Sequence, residues 1–125
     1  MAIRRSIKGT QPHCRVLAVR VDGSAVTTSA ATTGALGPDR HNITILKGSG
    51  GTSNEVTVAF NEAYTVVPVV CTGVITTNCH VEVKSVSASQ IVFETFQVAD
   101  GTTGVDDADF HFIVMGWDTA SEYKS

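Results

Sequence analysis

Apolar side chains recur at every second position along much of this chain, which is the period of a strand and not of a helix. Glu55 to Phe60 sets Val56, Val58 and Phe60 on one face and Glu55 and Thr57 on the other, so it reads as a strand with one buried and one wet side. His41 to Lys47 alternates in the same way around Ile43 and Ile45. Cys79 to Val86 is predicted to turn Val81 and Val83 inward and His80, Glu82 and Lys84 outward. Ser87-Ala88-Ser89 then reverses the chain, and Gln90 to Val98 returns with Ile91 and Phe93 inward, the clearest hairpin in the sequence. Two segments lack a polar face. Pro68 to Ile75 is expected to be buried on both sides, with Pro68 at its first position, where a missing N–H is tolerated. Asp109 to Trp117 places Phe110, Phe112 and Val114 on one face and His111, Ile113, Met115 and Trp117 on the other. A strand apolar on both faces is central in its sheet or lies against another subunit.

The first strand is predicted from His13 to Val21, closed by the turn pair Asp22-Gly23. Residues 1–12 before it read as an extended arm, and residues 119–125 as a polar tail. Between Ser24 and Arg40 the residues are small and polar, with no period. That length without pattern is expected to be a mobile loop or a segment that orders against a partner, and Ala25 to Thr28 has the composition for a short edge strand. Six or seven short strands separated by turn signals specify an all-β fold, an antiparallel β-sandwich or small barrel occupying residues 13–118 as one domain. Composition agrees: 18 Val and 16 Thr stand against 3 Leu, and β-branched side chains fit a pleated surface better than a helix.

The net charge of −3 is unevenly spread. Arg4, Arg5, Lys8, Arg15 and Arg20 all precede the first acid, Asp22, whereas after Lys84 seven acids face one base, Lys124. Such asymmetry suits docking of a basic arm on an acidic neighbour, with Arg4, Arg5, Lys8 and Arg15 as its contacts; a solvated terminus is the alternative. Nucleic acid is not the expected partner, because the arm has no aromatic residue for base stacking and the whole chain is acidic. No apolar run has the length of a signal peptide or a membrane helix. Cys14, Cys71 and Cys79 are odd in number and not in CxxC spacing, as expected of reduced thiols in a protein made in a cytoplasm.

Chemistry is sparse. His13-Cys14 and Cys79-His80 are adjacent pairs whose side chains point to opposite faces of a strand, so neither closes on one metal ion. The loop from Asp100 to Asp109 has four carboxylates and two glycines, enough oxygen for a weak calcium site but not in EF-hand spacing; a solvated acidic turn is the plainer reading. Neither a GxSxG motif nor a phosphate-binding glycine loop occurs, and no catalytic residue, metal or cofactor is expected. Trp117, with His111 on its face and Asp109 nearby, offers a platform for a sugar ring or a contact between subunits.

Three segments together carry a resemblance. The run Glu55 to Tyr64 followed by Val67-Pro68-Val69-Val70, the strand Ser89 to Phe96, and the strand Asp109 to Trp117 with its closing Gly-Trp resemble the C-terminal half of small phage-fibre and H-type lectin-like β-sandwiches, over roughly residues 54–118. The resemblance implies a sandwich that forms trimers, with trimers pairing into hexamers in the lectin case, and a place on a virion surface or in glycan binding. The expectation is a trimeric capsid decoration (cement) or head-fibre protein of a tailed phage, assembled in the host cytoplasm and docked on the major capsid protein or another virion protein. The alternative is a receptor-binding fibre tip that holds a host-surface glycan.

Overall fold

The computed structural model describes residues 14–117, so the arm Arg4, Arg5 and Lys8 belong to, His13, Asp118 and the tail lie outside it. The chain is a β-sandwich of two four-stranded antiparallel sheets. The strands in chain order are β1 (Cys14–Val21), β2 (Ala35–Leu36), β3 (Ile43–Lys47), β4 (Glu55–Phe60), β5 (Val69–Val74), β6 (Cys79–Val86), β7 (Gln90–Gln97) and β8 (Phe110–Trp117). The first sheet runs β2-β1-β8-β5 and the second β3-β4-β7-β6. Every strand but the two-residue β2 falls within one or two residues of a strand expected from the sequence. No helix among the described residues is long and apolar enough to cross a membrane.

The alternating side chains meet between the sheets. Phe93 of β7 lies 5.1 Å from Phe110 and 5.0 Å from Phe112 of β8, ring centre to ring centre, and all three are fully buried. Val21, Ile43, Ile45, Val58, Ile91 and Val114 close round them. Thr95, the one buried polar side chain among the described residues, is satisfied: its hydroxyl donates to the carbonyl oxygens of Val105 (2.6 Å) and Asn54 (3.3 Å), which ties the long loop after β7 to the second sheet.

Three expectations need correction. Residues 24–40 do not wait for a partner; they order on their own chain. Their backbone pairs with the free edge of β3 through Thr27 and Ala31, Val26 and Ala35 are buried, and β2 pairs with β1. The Asp39 carboxylate also accepts the Ala18 amide proton at 2.8 Å. The sequence lacks period here because the segment runs along an edge, with few side chains turned inward. The second correction concerns residues 68–75. Instead of a strand buried on both sides, β5 pairs only with β8 and forms the edge of its sheet, leaving Val69 56% exposed. The third is Val83, which pairs with Phe93 on the inner side but stays 37% exposed, because β6 is an edge strand and a bulge between Val83 and Ser85 breaks its register.

The segments that carried the family resemblance converge at one end of the sandwich. Phe60 and Tyr64 pack edge to face at 5.1 Å, and the Arg15 guanidinium lies 4.0 Å above the Tyr64 ring. Gly116 makes room for them: a Cβ there would stand 2.5 Å from the Tyr64 ring and 2.9 Å from Pro68. Gly116→Ala is therefore expected to destabilise the domain by about 1–3 kcal/mol, as overpacking of a filled core does. Thermal denaturation should read this as a fall in Tm of several degrees.

Candidate functional site

The outer faces of the two sheets differ sharply. On the second sheet, Glu55, Glu94 and Glu82 are register partners across β4, β7 and β6, so three carboxylates stand in one row. Like charges directly opposite repel. Lys84 relieves the row by donating to Glu55 at 2.7 Å, and that hydrogen bond and charge raise the lysine pKa above its ordinary value. His80 is 3.4 Å from Glu82 and lies beside the Phe96 ring. Facing His80's own neighbour, Cys79, requires crossing the strand, since Cys79 is buried on the inner side.

The outer face of the first sheet is apolar and uncovered. Its residues stand in four cross-strand rows: Cys14 with Trp117; Val16, Met115 and Val69; Ala18, Ile113 and Cys71; and Arg20, His111 and Gly73, with Leu36 beside Arg20. Val16, Val69, Ile113, Met115 and Leu36 are each 42–56% exposed. Between Ala18, Arg20, Leu36, His111 and Ile113 lies a shallow dent of about 270 Å³. Among the described residues these rows hold no acid, and Asp39 stands at their β1 edge on the Ala18 amide. Exposed apolar side chains scattered singly need no explanation, but a contiguous set across three strands marks a contact surface.

The residues singled out from sequence are distributed as follows. His111 and Trp117 do share this face, but six residues of strand, roughly 20 Å, separate them, so they cannot grip one sugar ring together. The His111 ring lies across Gly73, where a Cβ would stand 2.4 Å from Nε2. Asp109 has a structural task instead of a binding one. Its carboxylate accepts the Gly23 amide at 2.9 Å, and its backbone pairs with Ile75 and Thr76. Arg15 lies over the Tyr64 ring and pairs with Glu62 (3.1 Å). Arg4, Arg5 and Lys8 lie outside the described residues.

The acidic loop does not assemble a cation cage. Asp106 accepts from the Ser53 hydroxyl, Asp107 pairs with Lys47, Asp109 holds Gly23, and Asp100 folds back on Thr102 and Thr103. Among the described residues no three His, Cys, Asp or Glu side chains gather as metal ligands. The same loop forms one wall of a cleft of about 600 Å³, lined by Thr76, Thr77, Asn78, Gln97, Val98 and Val105. Among the described residues the side chains of Thr77, Asn78 and Gln97 make no hydrogen bond. Neither this cleft nor the breadth of the apolar face was anticipated. Val16 and Ala18 alternating with Leu17 and Val19 in β1 did signal a second apolar face; neutral turn residues such as Asn78 carry no such signal.

No family model, curated protein or solved structure matches the chain.

The Asp100 carboxylate accepts from the Thr103 hydroxyl and from the Thr103 and Thr102 amides, which lower its pKa to about 2. A depressed carboxyl pKa stabilises above the unfolded value of about 4 and loses that contribution as pH falls through the folded value. The turn at 100–103 is thus expected to hold down to about pH 2. A carboxyl NMR titration of Asp100 checks this, with a midpoint near 4 as the contrary result.

Proposed function

We propose that the chain is a structural subunit of a tailed-phage virion surface, a capsid decoration or head-fibre protein that works in several copies. The observation that supports this reading is the exposed apolar face of the first sheet. Covering a contiguous apolar face of this kind with another protein surface is favourable. The family resemblance supplies the virion setting and the trimer. The residues that carry the resemblance include Phe60, Tyr64, Pro68 and Gly116, which pack together at one end of the sandwich. Decoration stabilises a capsid by bridging neighbours, since contacts made only in the assembled state shift the equilibrium toward it, and several weak ones combine through avidity. An antibody against the domain is expected to label intact virions of the source phage in electron micrographs. Labelling confined to virion-free lysate fractions would count against the reading.

The cleft at the opposite end favours a second reading, a fibre tip that holds a host glycan. Unpaired amide and hydroxyl groups beside Val98 and Val105 match the hydroxyls and the apolar ring face of a neutral sugar. On a glycan array this reading expects saturable binding that Asn78→Ala with Gln97→Ala abolishes; the structural reading expects none.

A further inference from the structure

Successive residues of an antiparallel strand turn their backbone groups alternately to one side and the other, so a single bond sets the parity of a whole ladder. Ile75 donates to the Asp109 carbonyl and so continues the β5–β8 register, which means that Val69, Cys71 and Gly73 bond to β8. The far side of β8 obeys the same parity. Ala18 and Asp22 turn their N–H groups away from β8, to the Asp39 carboxylate and the Gly34 carbonyl. Val70, Thr72 and Val74 consequently point N–H and C=O out of the sheet, where no described residue receives them. We infer that this edge pairs with the same edge of a second copy, antiparallel about a two-fold axis through Thr72, so that the two first sheets run on as one. The inference goes beyond the virion reading and does not rest on it. It leaves the outer face of the first sheet open, and where a three-fold contact also operates the pairing joins two trimers.

Three observations select the edge and its occupant. First, β5 is the edge that the fold leaves unguarded. The outer side of β1 is taken by β2 and Asp39, and that of β3 by Thr27 and Ala31. β6 carries Glu82 and Lys84 and is broken by the bulge between Val83 and Ser85, two devices that discourage pairing. β5 has six residues in unbroken register, with no charged side chain, proline or bulge. An edge of that kind is a template for another strand. Second, the strand reads alike in both directions about its centre: Val70 and Val74 stand two residues to either side of Thr72. Two-fold pairing sets Val70 opposite the partner's Val74 and Thr72 opposite the partner's Thr72, and each opposed pair exchanges two N–H···O bonds. Every outward N–H and C=O of the edge is then used, and Thr–Thr is a favourable cross-strand pair. A slip of one residue would oppose groups that already bond to β8. Third, side chains permit the approach. On the outer side Cys71 comes opposite the partner's Gly73, which leaves room in the closer-spaced, non-hydrogen-bonded position, and no like charges meet.

The test uses the full chain alone in solution. Light scattering is expected to give a mass of two chains, twice 13.1 kDa, or of three such pairs. Amide hydrogen exchange should find Val70, Thr72 and Val74 as protected as Cys71 and Gly73. Fast exchange at those three beside slow exchange at Cys71 and Gly73 is the signature of an open edge. The register has its own test. Opposed residues of a hydrogen-bonded pair have Cα atoms about 5.5 Å apart, within disulfide reach. In a chain carrying Cys14→Ser and Cys71→Ser, Thr72→Cys should give a covalent two-chain product with oxidised glutathione, and Val66→Cys, outside β5, should not. Thr72→Pro removes an N–H that has no partner within the chain, as an edge strand tolerates, and should raise the Kd of pairing at least tenfold. A wild-type mass of one or three chains, an open-edge exchange pattern, no crosslink through Thr72→Cys, or a pair that survives Thr72→Pro overturns the inference. A chain that labels virions yet shows an open edge overturns the pairing and leaves the virion reading standing; a pair that never labels virions does the reverse.

Discussion

Phe93 stands against Phe110 and Phe112 across the sandwich, and the rest of the domain is arranged by that contact. Three aromatic rings at 5 Å fix the distance between the sheets and the registration of β7 over β8. Once β8 is held by its inner face, β1 and β5 flank it by backbone pairing, and its outer residues are set in rows with theirs. The uncovered apolar face is thus a by-product of the core: the strand that anchors the interior on Phe110, Phe112 and Val114 also displays Ile113 and Met115. Hydrophobic burial inside and hydrophobic exposure outside come from one strand.

The strands were legible because alternation is a local property. Val56-Thr57-Val58 or Phe110-His111-Phe112 declares its faces without reference to the remaining chain. Which face is covered is not local. Residues 68–75 read as doubly buried because Val-Val-Cys with Val-Ile looks interior, yet among the described residues the sheet ends at β5 and Val69 stays exposed. The error over residues 24–40 has the same origin in reverse. Small polar residues gave no period, but Thr27 and Ala31 needed only backbone groups to join the edge of β3.

The candidate sites divide along the same line. Asp109 and Arg15 were noticed for their chemistry, and both spend it within the fold, on Gly23 and on Tyr64 with Glu62. His111 and Trp117 were correctly assigned to one face by parity, but parity says nothing about the 20 Å between them. The dent beside Leu36 depends on β2, a strand of two residues that no alternation can announce.

Cys14 and Trp117 are register partners, so the described chain begins and ends at neighbouring points of one pole. The loops that frame the large cleft, around Asn78 and Val98, lie at the other. The domain therefore has a root and a tip. The described residues start and stop at the root, so both sheets remain whole if residues 14–117 are spliced as a unit into a surface loop of another protein.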